Sequence, residues 1–134
     1  MELGTTLEGL RPFLPAEDFA TSRAFYRYLG FVETWSAEKL VNFQLGGFSF
    51  FLQDYFVKAW AENMVMDLRV ADVDACWAHL QSLNLSARFP KVVRVGAPQI
   101  DVSTGIRRGH FVDPSGILWH FSQRAQVTDA MLRA

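Results

Sequence analysis

The sequence predicts an α+β protein made of two β-α-β-β-β units in tandem. Three observations lead to this fold class: a strand–aspartate–helix pattern that occurs twice, a run of three strand patterns after the first helix, and an Asp-Pro-Ser-Gly turn between two apolar runs near the end. A chain of 134 residues suits one well-buried domain. We therefore expect residues 1–134 to form a single domain, with repeat units at about 9–53 and 64–123.

The two predicted helices have matching ends. Asp18 and Asp72 each precede an apolar stripe with helical spacing, so both are predicted N-caps. Gly30 and Asn84 follow the two stripes, and both residue types tolerate the left-handed conformation that closes a helix. One shift of 54 residues superposes the caps, 18 on 72, and also the terminators, 30 on 84. The chain therefore contains one structural unit twice.

Strand patterns surround both helices. In the first unit they are residues 10–16, 31–36, 40–45 and 48–53. In the second unit they are residues 66–70, 87–93, 108–112 and 118–122, with a loop rich in Pro and Gly up to 99. The three strands in succession after the first helix argue against a ferredoxin-like sandwich, the alternative fold. Residues 54–64 are a predicted linker with a short helix, and the tail after Gln123 is polar with a weak helical pattern.

The last two strand patterns meet in a sequence typical of a β-hairpin turn, Asp-Pro-Ser-Gly at 113–116. Pro114 sets φ for the first corner, Gly116 tolerates the exit geometry, and the Asp113 side chain can bond back to the turn. On the following strand, His120 faces away from its apolar neighbours. A lone histidine on a strand is as often structural as functional, so both interpretations stay open.

Composition and charge exclude several classes of protein. Thirteen basic and fourteen acidic residues give a net charge of −1, and no basic stretch is interleaved with aromatics, so no nucleic-acid partner is expected. No apolar run approaches the ~18 residues that span a bilayer, and the first residues lack a signal pattern. We expect a cytoplasmic protein with no membrane partner. The single cysteine, Cys76, lies on the predicted buried stripe of the second helix and is expected to be a packed thiol.

The sequences AFYRYLGF at 24–31 and DPSG at 113–116, set within repeated β-α-β-β-β units, resemble the vicinal oxygen chelate superfamily. This superfamily includes glyoxalase I, extradiol dioxygenases, fosfomycin-resistance enzymes and bleomycin-resistance proteins. The resemblance extends from Leu10 to Gln123. It implies that the two units form a curled mixed sheet with a cleft, the glyoxalase/bleomycin-resistance fold, and that the cleft holds the functional site.

The resemblance places the superfamily's metal-ligand positions at Arg11, Phe51, Val65 and His120. Among these, His120 alone is a metal-binding residue type, and a divalent ion needs about three protein ligands. His110 on the neighbouring strand would add one more. We therefore expect no metal, no other cofactor and no catalytic residue. The alternative is a divalent metal held by ligands elsewhere in the chain.

Bleomycin-resistance proteins are the branch that this sequence resembles most, because they too lack the metal ligands and carry a histidine in the closing strand. They are dimers that sequester a drug in an aromatic cleft. The resemblance therefore implies a metal-free, homodimeric protein that binds a small molecule, for which an aromatic antibiotic is a candidate. That branch's drug is cationic and its proteins strongly acidic, whereas this chain is near neutral, so the ligand stays open.

Two other functions remain open at this point. One is a metal-dependent, glyoxalase-like lyase or isomerase, or a dioxygenase, of the same superfamily. The other is a non-catalytic, dimeric regulatory module whose own phenylalanine side chains fill the cleft. A bound metal would favour the enzyme over a metal-free binding protein. A structure without a cavity would favour the regulatory module.

Strand alternation directs one set of side chains to the face that holds ligands in the superfamily. Two tryptophans in or beside loops could stack on a flat ligand. The predicted ligand-binding residues are Arg11, Phe13, Trp35, Phe51, Trp60, Val65, Asp67, Arg69 and His120.

Overall fold

The computed structural model describes residues 2–124. The chain divides into two compact units between Glu62 and Asn63. The weak helical pattern predicted for the tail concerns residues 125–134, which lie outside the described residues. In the part of the chain that the structure describes, no helix is long and apolar enough to cross a bilayer. The expectation of a single domain stays a prediction.

The first unit is a four-stranded sheet with one long helix. Its elements are β1 (Phe13–Pro15), α1 (Phe19–Leu29), β2 (Val32–Ala37), β3 (Leu40–Leu45), β4 (Phe48–Gln53) and the short helix α2 (Lys58–Ala61), preceded by a single helical turn at Leu3–Thr6. The strand order is β1-β4-β3-β2, with β1 parallel to β4 and the other pairs antiparallel. The predicted strands are confirmed, although β1 is shorter than the 10–16 predicted.

The second unit repeats this topology. Its elements are β5 (Val65–Arg69), α3 (Val73–Ser82), the short helix α4 (Leu85–Arg88), β6 (Arg94–Asp101), β7 (Ile106–Val112) and β8 (Leu118–Arg124). The strand order is β5-β8-β7-β6, again with the first pair parallel and the others antiparallel. The predicted α+β class and the two β-α-β-β-β units are confirmed.

One predicted strand is wrong. Residues 87–93 were expected to be extended, but α4 covers their beginning and the strand starts only at Arg94. The stretch predicted as a loop up to 99 is β6. This strand contains Pro98, which has no backbone N–H to donate. The proline is tolerated because β6 is an edge strand and because its register with β7 shifts between Gly96 and Gln99, so no hydrogen bond of the ladder is lost there.

The helix ends confirm the internal repeat. The side chains of Asp18 and Asp72 each accept a hydrogen bond from the backbone N–H three residues later, at 3.1 and 3.0 Å. Gly30 has φ +108° and Asn84 has φ +52°, so both terminators adopt the left-handed conformation. Positions 54 residues apart therefore share the same capping geometry as well as similar residue types.

Each long helix packs on one face of its own sheet. In the first unit the buried Tyr26 ring of α1 lies 4.9 Å from Phe50 and 5.7 Å from Phe43. In the second, Trp77 of α3 stacks on Phe121 of β8 at 6.4 Å. Because side chains alternate along a strand, the intervening residues lie on the opposite face. We call the face of each sheet that is turned away from α1 or α3 the distal face.

An ion-pair cluster joins α1 to β2. Arg23 binds Glu33 with two hydrogen bonds of 2.6 and 2.9 Å, and the Arg27 Nε lies 2.8 Å from the same carboxylate. The hydrogen bonds from Arg23, followed by those from Arg27, lower the pKa of Glu33 from 4.5 to about 2. A depressed pKa in the folded state means that this stabilisation is present above pH 4.5 and is lost as the pH falls toward 2.

We expect Glu33→Gln to lower the free energy of unfolding at neutral pH by about 1–2 kcal/mol, because it removes charge-assisted hydrogen bonds from two arginines. The difference from the wild type should shrink when urea unfolding is repeated at about pH 3.5. Glu38→Gln, in the exposed turn between β2 and β3, is the control with the same charge change. An equal loss of unfolding free energy at both pH values would contradict the conclusion that the ionised Glu33 carboxylate stabilises the fold.

Candidate functional site

Four cross-strand neighbours form one row across the distal face of the first sheet. Phe13 pairs with Phe51, Phe51 with Asn42, and Asn42 with Trp35. The Phe13 and Phe51 ring centroids are 4.8 Å apart, and the Trp35 ring meets Phe51 edge-on at 6.3 Å. Phe13 is 49% exposed and Trp35 is 52% exposed. The structure thus brings three predicted residues together as rings that a ligand could reach.

Arg11 joins this row from the segment before β1. Its guanidinium carbon lies 4.5 Å from the centroid of the Phe51 ring, which is a cation–π contact. The predicted neighbourhood of Arg11 and Phe51 is therefore present. A fixed cation on an aromatic ring favours an aromatic or polar ligand group over a metal ion at these two positions.

Sequence reasoning missed Asn42, the polar member of the row. Its side chain is 6% exposed, and its Nδ2 donates a hydrogen bond to the Thr34 hydroxyl at 2.6 Å. Its Oδ1 is buried without a hydrogen-bond partner among residues 2–124. A buried acceptor left unpaired costs about 1–3 kcal/mol, so a rotation of this amide that presents its oxygen to a ligand N–H would be favourable. The available signal was an asparagine inside an apolar strand, where this residue type is depleted.

A cavity of about 930 Å³ lies beside the row within the first unit. Residues 6–11 form one wall, and β3, β4 and the turn between them form the other, with Arg11, Asn42 and the exposed Phe48 among the lining side chains. This volume falls at the upper end of the ~300–1,000 Å³ typical of small-molecule sites. The contribution of residues 6–9 was not predicted, because no periodic pattern marks an irregular segment.

Trp60 was predicted to stack on the same ligand. The structure places it on the short helix α2, where its side chain is 65% exposed. Within the described part of the chain, its ring has no recorded contact with Phe13, Phe51 or Trp35. Its role in binding stays a prediction.

The second sheet carries a polar row at the corresponding positions of its distal face. Asp67 pairs with His120, and His120 pairs with His110. The Ser122 hydroxyl donates a hydrogen bond of 2.9 Å to the Asp67 carboxylate. Burial, and then the nearby charge of Arg108, lower the pKa of His120, so its imidazole is neutral at neutral pH. A neutral imidazole can donate one hydrogen bond and accept another.

The remaining two predicted residues flank this polar row on β5. Arg69 pairs with Ser122, and Val65 pairs with Leu118. Both Arg69 and Val65 are exposed. The structure therefore places the four predicted residues of the second unit along one side of its sheet, with an apolar end and a basic end.

The metal set implied by the resemblance does not fit these residues. Arg11 and Phe51 occupy two of its positions and contact each other. Val65 occupies the third beside the apolar Leu118, which leaves His120 as the one ligating side chain. Across residues 2–124, no three His, Cys, Asp or Glu side chains are placed to hold a metal ion together.

Comparison with known proteins identifies the fold. No protein-family profile and no curated protein sequence matches the chain. A bleomycin-binding protein in complex with bleomycin matches with a TM-score of 0.74 and 23% identity, over 89% of this chain and 100% of that one. An antibiotic-binding protein from Streptomyces sp. CB03234 matches with a TM-score of 0.66 and 23% identity, over 90% of this chain and 98% of that one. Lactoylglutathione lyase from Agrobacterium tumefaciens matches with a TM-score of 0.63 and 17% identity, over 87% of this chain and 94% of that one.

The chain thus has the glyoxalase/bleomycin-resistance fold that its sequence motifs predicted. Among the three structures described, the two drug-binding proteins have higher TM-scores and identities than the lyase. At these identities the likeness establishes the fold alone.

Proposed function

We propose that the protein binds and sequesters a small aromatic molecule without a metal, on the distal face of the first sheet. The observation that carries this proposal is the aromatic row, in which the Phe51 ring contacts both Phe13 and Trp35. Two residues next to this row, Arg11 and Asn42, also line a cavity of about 930 Å³. Apolar concave surfaces with a few polar groups are the usual sites for small molecules. The fold shared with a bleomycin-binding protein and with an antibiotic-binding protein supports an antibiotic as the ligand.

The polar neighbours of the row would orient such a ligand. A flat ring can stack on the exposed faces of Phe13 or Trp35, for a gain of about 0.5–1.5 kcal/mol beyond the buried area. An N–H group on the ligand can donate to the unpaired Oδ1 of Asn42 once the amide rotates toward the cavity that this residue lines. Arg11 can hold an electron-rich group next to Phe51. The expected ligand is therefore amphipathic, with an aromatic ring and a hydrogen-bond donor.

The other functions have less support in the structure. A lyase or dioxygenase of this superfamily would need a metal, and the residues at the implied ligand positions do not suit one. A regulatory module that fills its own cleft would bury its phenylalanine rings, whereas Phe13 is about half exposed.

The proposal is tested by calorimetric titration with bleomycin and with flat aromatic antibiotics, together with elemental analysis of protein purified without chelators. We expect saturable binding of at least one aromatic compound, accompanied by quenching of tryptophan fluorescence, and no stoichiometric zinc, manganese, iron, nickel or cobalt. One bound metal ion per chain would contradict this proposal and favour the metal-dependent enzyme instead. Absence of binding across the whole panel would overturn it.

We further propose that the protein is a homodimer. Strands β2 and β6 are edge strands of their sheets, and several apolar side chains near these edges are exposed, among them Val32, Ile100 and Val102. Unpaired edges and exposed apolar side chains favour association with a second copy. Analytical ultracentrifugation at micromolar concentration should give twice the 15.2 kDa chain mass. A single monomeric species would contradict the proposal.

A further inference from the structure

A bulge in β2 brings two adjacent side chains to the same face of the first sheet. The register between β2 and β3 shifts between Glu33 and Trp35, so Thr34 is the extra residue of the bulge. The Thr34 hydroxyl contacts the Asn42 side chain on the distal face. The next residue, Trp35, contacts the Phe51 ring on the same face. Adjacent side chains of a regular strand point to opposite faces, so it is the bulge that adds Thr34 to this one.

The Thr34 hydroxyl determines which end of the Asn42 amide is occupied. It accepts a hydrogen bond of 2.6 Å from Asn42 Nδ2, and it donates its own hydrogen to the Asn42 backbone carbonyl at 3.5 Å. The reversed amide would draw that hydrogen away from the carbonyl and would leave the Nδ2 group without an acceptor. The oxygen is therefore the end of the amide that stays unpaired among residues 2–124.

The cavity of the first unit brings this amide together with hydrogen-bond donors. Asn42 and Arg11 both line the cavity. Both also adjoin Phe51: Asn42 is its cross-strand partner, and the Arg11 guanidinium lies over its ring. The amide can turn toward the cavity about its hydrogen bond to Thr34, which keeps Nδ2 occupied. A polar ligand group next to Phe51 would then meet donors from Arg11 and an acceptor from Asn42.

We propose that Thr34 is a positioning residue that makes this site selective for an aromatic amide, which is a lactam or carboxamide joined to an aromatic ring. The amide carbonyl accepts from Arg11, and the amide N–H donates to Asn42 Oδ1. A carboxylate or an ester has acceptors alone, so it would leave Oδ1 unpaired. Glu8 also lines the cavity, and its negative charge disfavours an anion. The inference deepens the proposed function and rests on it for the aromatic contacts.

The test compares the lactam isocarbostyril with the lactone isocoumarin by NMR titration of the full chain. The two bicyclic probes share their shape and carbonyl group, and an oxygen in the lactone replaces the N–H of the lactam. We expect the wild type to bind the lactam about tenfold more tightly, because its N–H pairs an unpaired acceptor. In Thr34→Val the amide can offer either end, so this preference should fall to about twofold or less. Thr34→Ser keeps the hydroxyl and should keep the preference, as should Ser36→Ala, the control on the same strand.

The ratio of the two affinities is the readout, because a general disturbance of the site would weaken the binding of both probes alike. Equal affinity of the wild type for the two probes would overturn the inference and leave aromatic binding intact. A preference that persists in Thr34→Val, or that is lost equally in Thr34→Ser, would also overturn it. If neither probe binds while another aromatic compound does, the inference fails and the proposed function stands. If no aromatic compound binds, both fail.

Discussion

Replacing Asp113 by alanine is expected to lower the free energy of unfolding by about 3 kcal/mol. The side chain is completely buried in the turn between β7 and β8. Its Oδ1 accepts hydrogen bonds from the backbone N–H groups of Ser115, at 2.8 Å, and Ile117, at 2.9 Å. Alanine would leave both donors without this acceptor in a buried turn, and an unpaired buried donor costs about 1–3 kcal/mol.

Urea unfolding at neutral pH measures this change, and Asp113→Asn is the matched control. Asparagine keeps an acceptor oxygen at the same distance from the backbone, so Asp113→Asn should lower the free energy of unfolding much less than Asp113→Ala. If the alanine variant unfolds within about 0.5 kcal/mol of the wild type, which is the range of ordinary surface substitutions, the turn does not depend on this side chain.

Features set by short stretches of sequence were predictable. The Asp-Pro-Ser-Gly turn forms as predicted, with Gly116 at φ +90° and the Asp113 side chain bonded back to the turn. The helix caps at Asp18 and Asp72 also form as predicted. In each case, one side chain satisfies a backbone group within four residues, so local chemistry alone determines the conformation.

Features that depend on tertiary context were not predictable in the same way. Pro98 indicated a loop, yet it lies in an edge strand whose register shift tolerates it. The cavity wall formed by residues 6–11 has no sequence pattern, and the unpaired Oδ1 of Asn42 depends on what surrounds β3. Alternation along the first strand did place Phe13 on the ligand-holding face, and the resemblance placed Phe51 there, whereas their direct pairing across two parallel strands is seen in the structure alone.

Replacing Phe51 by alanine is expected to weaken binding of an aromatic ligand by about 10- to 100-fold, because one large ring at a binding site is worth about 1.5–3 kcal/mol. Phe51 is central to the row: its ring lies 4.8 Å from Phe13, 6.3 Å from Trp35 and 4.5 Å from the Arg11 guanidinium. Its removal therefore takes away a contact surface and also the support that positions three neighbours.

Two further variants separate binding from stability in this experiment. Phe51→Leu keeps the apolar volume but not the ring, so it should retain most of the stability and still lose affinity. Cys76→Ala on α3 should lower stability and leave affinity unchanged, because the thiol is half-buried and burial raises its pKa, which keeps it protonated and unreactive. If Phe51→Ala and Cys76→Ala bind the ligand equally well in the calorimeter, the ligand does not bind on the distal face of the first sheet.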